Sequence, residues 1–346
     1  MMECLTAGSE RSSKRGAQRR STSRMDARAL PDTLADGHTH SGAALARRLG
    51  VSRAAVWKQI ETLRAAGLPV LAEGGRGYRV ERPLQMLDAG AIGAALPRAA
   101  RALWPCIEVR WQLDSTSSEL LRAAEDLPGA TALFAEWQTA GRGRRGRGWL
   151  APPLLGLTFS LLWRFEHGYA ALAGLSLAIG VAVAETLRAL GARDVALKWP
   201  NDVQHGGRKL AGILVELGGE FLGPCHAVIG IGLNLHLPRS MREAAGQPVA
   251  DLAEACGDAV PARNALAAAL LAALGEALEQ FAHGGFAAFA ARYAALDALA
   301  GREVTVEVGE RRYRARAAGV DARGALRVRR GDGVVVLDSA DVSVRA

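Results

Sequence analysis

Residues 41–80 carry the pattern that most narrows what this chain can fold into. Ser41 is placed to cap a short helix with Leu45 and Leu49 on one face, and Gly50 closes it. Ser52 caps a second helix, whose Val56, Ile60 and Leu63 follow the spacing of a single buried stripe, and Gly67 ends it. Two strand-like runs follow at 69–72 and 78–80, joined by a glycine-rich hairpin signal at 73–77. Helix, tight turn, helix and hairpin is the layout of a winged helix-turn-helix. In such a module the second helix enters the major groove with its first residues near base edges. Here those are Ser52, Arg53, Ala54 and Ala55, with Trp57, Lys58 and Gln59 behind them. Arg53 and Lys58 can reach phosphates or bases, and Arg76 stands at the wing tip. Use of the module only to contact protein stays open, because folds host several functions. Pro31 interrupts 26–36, so the first helix must start late or bend.

At 346 residues two or three domains are expected, and 49% apolar against 23% charged residues allows a sizeable core. Cys4, Cys106, Cys225 and Cys256 stand apart with no CxxC pair. That usage fits a reducing cytosol and argues against disulfides and a structural zinc site, so no metal ligands are assigned. His38, Thr39 and His40 read as ordinary loop composition. The apolar stretch 170–190 contains Glu185 and Arg188, which fits a buried helix better than a membrane span. The first residues are polar and basic, without a signal peptide's apolar region, so a cytoplasmic protein with no membrane partner is expected. Residues 1–25 are either a disordered basic extension or the result of a start placed too early; the second reading, with Met25 as the beginning, is preferred. The net charge of +8 permits a polyanion partner.

The middle of the chain mixes short strands with helices. Residues 201–207 read as loop and turn, 228–235 as a strand, and 261–283 as a long helix with proline at its start. From 301 onward valines alternate with charges and glycines punctuate, which predicts a small all-β barrel or sandwich. The chemistry concentrates in four places. At 141–148 four arginines interleave with glycines directly after a strand-like run at 132–137. Glycines let such a loop wrap an anion, and arginines supply fixed charge and forked donors. A solvated or RNA-binding tract remains the alternative for the run by itself, although it lies inside a folded domain. Lys198 ends a strand-like run, where sites on open sheets tend to form. Gly230 and Gly232 thin one wall for a flat ligand. Ser115, Thr116 and Ser117 open a helix, where the plain reading is an N-cap.

In this order the fragments resemble one family. GRGRRGR-x-W at 141–149, KWPND at 198–202, RKLAGILVE at 208–216 and G-x-G-x-N at 230–234 match the biotin–protein ligases. Residues 40–67 with the GGRGY wing resemble the DNA-binding domain of the bifunctional biotin ligase and biotin operon repressor. GVDARGAL at 319–326 looks like that family's C-terminal SH3-like barrel. The resemblance implies an α+β fold: a winged helix at 26–83, a mixed-sheet ligase domain of the biotin/lipoate type at 84–299, and the barrel at 300–346.

It further implies condensation of biotin with ATP to biotinyl-5′-AMP, with Mg²⁺ on the phosphates. Biotin then passes to a lysine of a biotin carboxyl carrier protein. A biotinyl-AMP-dependent homodimer would place two winged helices on a palindromic operator. By residue, Ser115, Thr116 and Gln138 would hydrogen-bond the ureido head, with Ser117 beside them and backbone groups of Arg142 and Gly143. Gly212 and Leu214 would form pocket wall. Lys198 would bind the biotin carboxylate and, with Arg144, carry the catalysis. Arg142, Arg144, Arg147, Asn201 and Asn234 would face the nucleotide. The chain departs from the pattern at 151–156, at Ser117 in place of a common Asn, and at Val249, where some relatives stack a Trp on adenine. The alternatives are a monofunctional ligase with a relic winged helix, a lipoate- or octanoate-type enzyme, and a sensor without catalysis. The Gly/Arg loop and the neutral hydroxyl and amide partners count against the second. Retention of Lys198 and Arg144 counts against the third.

Overall fold

The computed structural model describes residues 27–257, 259–338 and 342–345. The reading of 1–25 lies outside the described residues. Helices α1 (Ala29–Leu34), α2 (Gly42–Leu49) and α3 (Arg53–Ala65) precede a hairpin of β1 (Val70–Glu73) and β2 (Gly77–Val80). Pro31 stands third in α1, where its backbone nitrogen would have no partner within the helix, so α1 begins just ahead of the proline. Ser41 and Ser52 accept from the N–H groups of Ala44 and Ala55, at 3.1 and 3.2 Å, and cap α2 and α3. Gly50 closes α2 at φ +65°. Leu45, Val56, Ile60 and Leu63 share one core with Leu30, Leu34 and Val80. Two leucines from far along the chain, Leu154 and Leu155, complete it.

The central layer opens with α4 (Ala89–Ala95) and α5 (Arg98–Leu103). Its strands are β3 (Cys106–Leu113), β4 (Ala130–Gln138), β5 (Gly156–Phe165), β6 (Val195–Lys198), β7 (Asp202–His205), β8 (Arg208–Gly219) and β9 (Cys225–Asn234). They form one seven-stranded sheet in the order β3-β4-β5-β9-β8-β7-β6. Only β3 and β4 run parallel, and α6 (Thr116–Ala123) makes their crossover. One face is covered by α7 (Leu175–Ala189) and, after α8 (Arg239–Ala244) and α9 (Leu252–Cys256), by α10 (Arg263–Gly284). A short α11 (Ala290–Ala294) follows. Helix α10 is long and apolar enough to cross a membrane, but Leu266, Leu270, Leu274 and Leu278 are wholly buried in this core. On the opposite face α6 covers Leu133, Leu162 and Val228 through Leu120.

Two sequence expectations need correction. Residues 201–207 are not all loop, because Asp202–His205 forms β7 with a full ladder to β6 and another to β8. Two flanking strands hold this polar tetrapeptide extended, and only Gly206 and Gly207 turn, at φ +54° and +76°. Likewise 170–190 is not one helix. A 3₁₀ turn at Tyr169–Leu172 precedes Gly174 at φ +79°, and α7 starts only at Leu175. A Cβ on Gly174 would lie 2.6 Å from that of Phe286, so the break lets the two segments touch.

Strands β10 (Glu303–Val308), β11 (Arg311–Val320), β12 (Leu326–Arg330), β13 (Gly333–Leu337) and β14 (Val342–Arg345) form an antiparallel sheet ordered β13-β12-β11-β10-β14. Val304, Val306, Leu326 and Val328 point into the core while their neighbours face out.

Candidate active site

A cleft of about 710 Å³, within the range of small-molecule sites, opens on the face of the central sheet that α6 only partly covers. The corner from β3 into α6 supplies Ser115, Thr116 and Ser117, all buried. Asp114 fixes that corner: its carboxylate takes a bidentate pair from Arg122, which holds it at about pKa 2, and accepts from the Ser115 N–H at 2.8 Å. The N-cap reading is right for Ser115, whose Oγ accepts from Ser118 N at 3.4 Å. Thr116 and Ser117 do more. The Thr116 backbone N–H and Oγ1 both donate to Gln138 Oε1 at 2.7 and 3.1 Å. Ser160 Oγ then bridges Thr116 Oγ1, at 2.7 Å, and Ser117 Oγ, at 3.0 Å. The result is a buried knot of neutral donors and acceptors, suited to a polar but uncharged head group.

The opposite wall is cationic. The loop after Gln138 is pinned on itself by Gly143 N to Arg147 O at 2.7 Å and Trp149 N to Gly141 O at 2.8 Å, with Arg145 and Gly146 at positive φ. Burial, then the nearby charge of Arg147, pushes the Arg144 guanidinium below its ordinary range. An anion arriving between these arginines relieves that crowding. Arg142 is held against Glu216 at 2.6 Å. Arg144 reaches Asn201 Oδ1 at 3.4 Å.

The structure brings Ser115, Thr116, Ser117, Gln138, Arg142, Gly143, Arg144, Arg147, Lys198, Asn201, Gly212 and Leu214 to this one cleft. Asn234 is the exception among the site residues expected from sequence. It is buried behind the wall, its amide donating to Ala250 O at 3.0 Å and Lys209 O at 3.4 Å, so it braces backbone and does not face the cavity. Val249 also stays off the lining: its backbone bridges to that of Lys209, while Pro248 beside it reaches the rim.

Three residues escaped the sequence reading. Lys209 lines the cleft, is paired with Asp202 at 2.7 Å and stands 5.5 Å from the Trp149 ring centre, with its side chain 15% exposed. Trp149 lies so close over β9 that a Cβ on Gly232 would sit 2.2 Å from its ring. Ser160 ties the hydroxyl knot. Lys209 and Trp149 both stand inside the motifs quoted above, but only the β8–β9 register, which sets Gly212 opposite Gly232, brings them together. Substituting Gly232→Val should expel Trp149 and raise KM for the small ligand at least about tenfold with the fold kept. An unchanged KM would show that the indole is no part of the wall.

On the winged helix, Arg53, Ala54, Trp57 and Lys58 are exposed while Val56, Ile60 and Leu63 turn inward. Ala55 is half-buried, and the Ser52 hydroxyl is committed to the cap. Arg76 extends from the hairpin turn, loosely paired with Glu73 at 3.4 Å. His38 and His40 lie beside Asp36 in a turn, and no group of three metal-ligating side chains occurs among the described residues.

Comparison with known proteins agrees with this layout. Residues 110–234 match the biotin/lipoate A/B protein ligase family, 33–79 an HTH domain, and 300–345 the biotin protein ligase C-terminal domain. A biotin protein ligase from Aquifex aeolicus, solved in complex with biotin and ATP, superposes with a TM-score of 0.59 at 28% identity, over 70% of this chain and 99% of that one. The fold and its cleft are thus those of a biotin/lipoate-type ligase with a DNA-binding module in front. The bifunctional ligase/repressor BirA of Salmonella typhimurium is 43% identical over 88% of this chain and 93% of its own length. That of Escherichia coli is 42% identical over 87% and 91%. The chain belongs to the biotin protein ligase family, in its bifunctional ligase/repressor branch.

Proposed function

We propose that this chain condenses biotin with ATP to give biotinyl-5′-AMP and pyrophosphate and then passes biotin to a lysine of a biotin carboxyl carrier protein. Loaded with biotinyl-AMP, it represses the biotin operon as a cytoplasmic homodimer. The single observation that carries the ligase reading is the meeting, in one cleft, of a neutral hydrogen-bonding knot and a cationic wall. Thr116, Ser117, Gln138 and Ser160 suit the cyclic urea. Lys198 and Lys209 suit the carboxylate and the phosphorus it attacks, and Arg142, Arg144 and Arg147 suit the phosphates. A carboxylate oxygen of biotin attacks the α-phosphorus, the bond to the β-phosphate oxygen breaks, and pyrophosphate leaves. The neutral amine of the acceptor lysine then attacks the acyl carbon and expels AMP. Among the described residues Asp202 is the one carboxylate lining the cleft, which fits a Mg²⁺ ion held mainly by the phosphates; such an ion would neutralise charge on the leaving group. Residues 26–83 read the operator, 84–299 hold the ligase site, and 300–346 flank it.

Repression needs a route from the cleft to the winged helix, and only the four residues 150–153 separate the two. Trp149 sits in the cleft, whereas Leu154 and Leu155 sit in the winged-helix core. Leu154 is buried at φ +67°, a conformation an L-residue adopts only under constraint. Any reordering of the Gly/Arg loop on ligand binding therefore pulls directly on the DNA-binding module. The ligase step is tested by incorporation of labelled biotin into a carrier domain, which must require ATP. Repression is tested with Arg53→Ala, which should weaken operator binding about tenfold while leaving ligation intact. Equal operator binding by variant and parent would refute this placement of α3.

A further inference from the structure

One carboxylate stands at the end of the cleft's floor with a single compensating partner. Along β8 the two-residue period puts Gly212, Leu214 and Glu216 on one face, and the first two line the cleft. Across the register from Glu216 is Val228, wholly buried with Leu120, Leu133 and Leu162 in the apolar cluster beneath α6. A carboxyl group beside such a cluster loses water and needs a partner in return. Arg142 Nη2 donates to Glu216 Oε1 at 2.6 Å, and the side chain of Glu216 is 22% exposed. The other oxygen, Oε2, is buried without a hydrogen-bond partner among the described residues. The β-sheet itself gives no reason for a charge at this position, so the reason lies in Arg142.

Arg142 spans the end of the cleft. Besides Glu216 on β8 it reaches Ser118 Oγ on α6, at 3.4 Å. Ser118 adjoins Ser117, whose hydroxyl belongs to the neutral knot. Arg144, two residues on, points the other way, to Asn201 Oδ1 at 3.4 Å. One loop is thus fastened at both ends of the cleft by neighbouring arginines. Its base is also tight: a Cβ on Gly141 would lie 2.5 Å from the Trp149 carbonyl oxygen and 3.2 Å from Gln138 Nε2. The backbone that Arg142 tethers therefore rests against the Gln138 amide.

We propose that Glu216 is a positioning residue for the ligase reaction: through Arg142 it straps the glycine–arginine loop over the neutral end of the cleft and sets how long a bound biotinyl group stays there. The inference rests on the ligase reading above. Arg144 and Arg147 then meet the phosphates directly, and Arg142 serves them through the loop it holds in place. A charge-assisted pair suits a strap, because it holds firmly yet exchanges with water when the loop lifts.

The test is Glu216→Gln in the full-length protein, a change that keeps the size of the side chain and removes its charge. Preformed biotinyl-AMP is bound and then chased with excess biotin, and KM and kcat are measured in biotin-dependent ATP–pyrophosphate exchange. Release should quicken about fivefold and the KM for biotin rise by a similar factor, while kcat changes less than about twofold. Glu216→Asp, which keeps the charge on a shorter stem, should fall between variant and parent. Arg142→Gln should speed release to the same extent, and the double change no further, because both remove one contact. Release from the parent should quicken with ionic strength, whereas release from Glu216→Gln should not. Unchanged release from Glu216→Gln overturns the proposal. So does a double variant whose effect is the product of the two single ones, since Glu216 would then act apart from Arg142. A parent protein that neither binds biotinyl-AMP nor catalyses exchange would overturn the ligase reading itself, and this inference with it.

Discussion

Alanine at Lys198, or at Lys209, lowers biotin-dependent ATP–pyrophosphate exchange about 10²–10³-fold, the scale seen when a preorganised donor to developing charge is removed. The reason is electrostatic. Adenylation drives a carboxylate onto an α-phosphate that already carries charge, so the barrier falls only if fixed cations stand where the negative charge gathers. Lys198 ends β6 on the cleft wall, and Lys209 reaches the same cavity from β8, mostly buried, between Asp202 and the Trp149 face. In so confined a space an ammonium interacts far more strongly than in water. Each variant should keep its far-UV spectrum and melting temperature to within a few degrees. If only one lysine matters, the other is a structural neighbour, and exchange rates identify which. If neither matters, the cationic wall serves binding alone.

Alanine at Arg263 destabilises the protein by about 3–5 kcal/mol, the cost of stranding a buried charge. Arg263 and Glu136 lie 2.7 Å apart with side chains only 8% and 1% exposed. The guanidinium also donates to Gln85 O at 2.7 Å and Gly156 O at 2.8 Å, while Glu136 Oε1 accepts from Leu87 N at 2.5 Å. The pair therefore ties the segment joining winged helix and sheet to both α10 and the start of β5. Removing the guanidinium leaves the Glu136 carboxyl group without its cation in a dry site, with one backbone donor, the N–H of Leu87. The double change Arg263→Met with Glu136→Leu should recover most of the loss, because apolar replacement of both partners removes the desolvation cost. Denaturant unfolding followed by fluorescence measures all three species. A loss below about 1 kcal/mol for Arg263→Ala would mean that water reaches Glu136 and the pair is not buried in solution.

What the sequence disclosed and what it concealed follow from range. Serine caps at 41 and 52, the glycine at 50 and the stripe from Val56 to Leu63 are local signals, and each appears in the structure at its expected place. The glycine–arginine and lysine motifs are local too, and the residues read from them, Arg142, Gly143, Arg144, Arg147 and Lys198, line one cleft. Asp202–His205 was misread as loop because its extended form is imposed by ladders on both sides, and nothing in the tetrapeptide announces them. Asn234 was misjudged for a related reason: its motif is genuine, but the partners of its amide come from Lys209 and Ala250, which only the folded sheet brings near. Ser160 and the Glu136–Arg263 pair join residues 43 or more positions from their partners, or 127 in the second case, beyond any periodicity. The insertion of Leu154 and Leu155 into the winged-helix core was hidden in 151–156, a stretch where the chain departs from the family pattern.

The most direct test of the central claim is ATP–pyrophosphate exchange by the purified protein with biotin, run beside the same assay with lipoate. Exchange that depends on biotin and does not occur with lipoate is the predicted result, since the neutral donors and acceptors around Gln138 could pair with the N–H and C=O groups of a urea, whereas a dithiolane ring offers them no such partners. Exchange with lipoate, or none with biotin while the protein remains folded, would contradict the account.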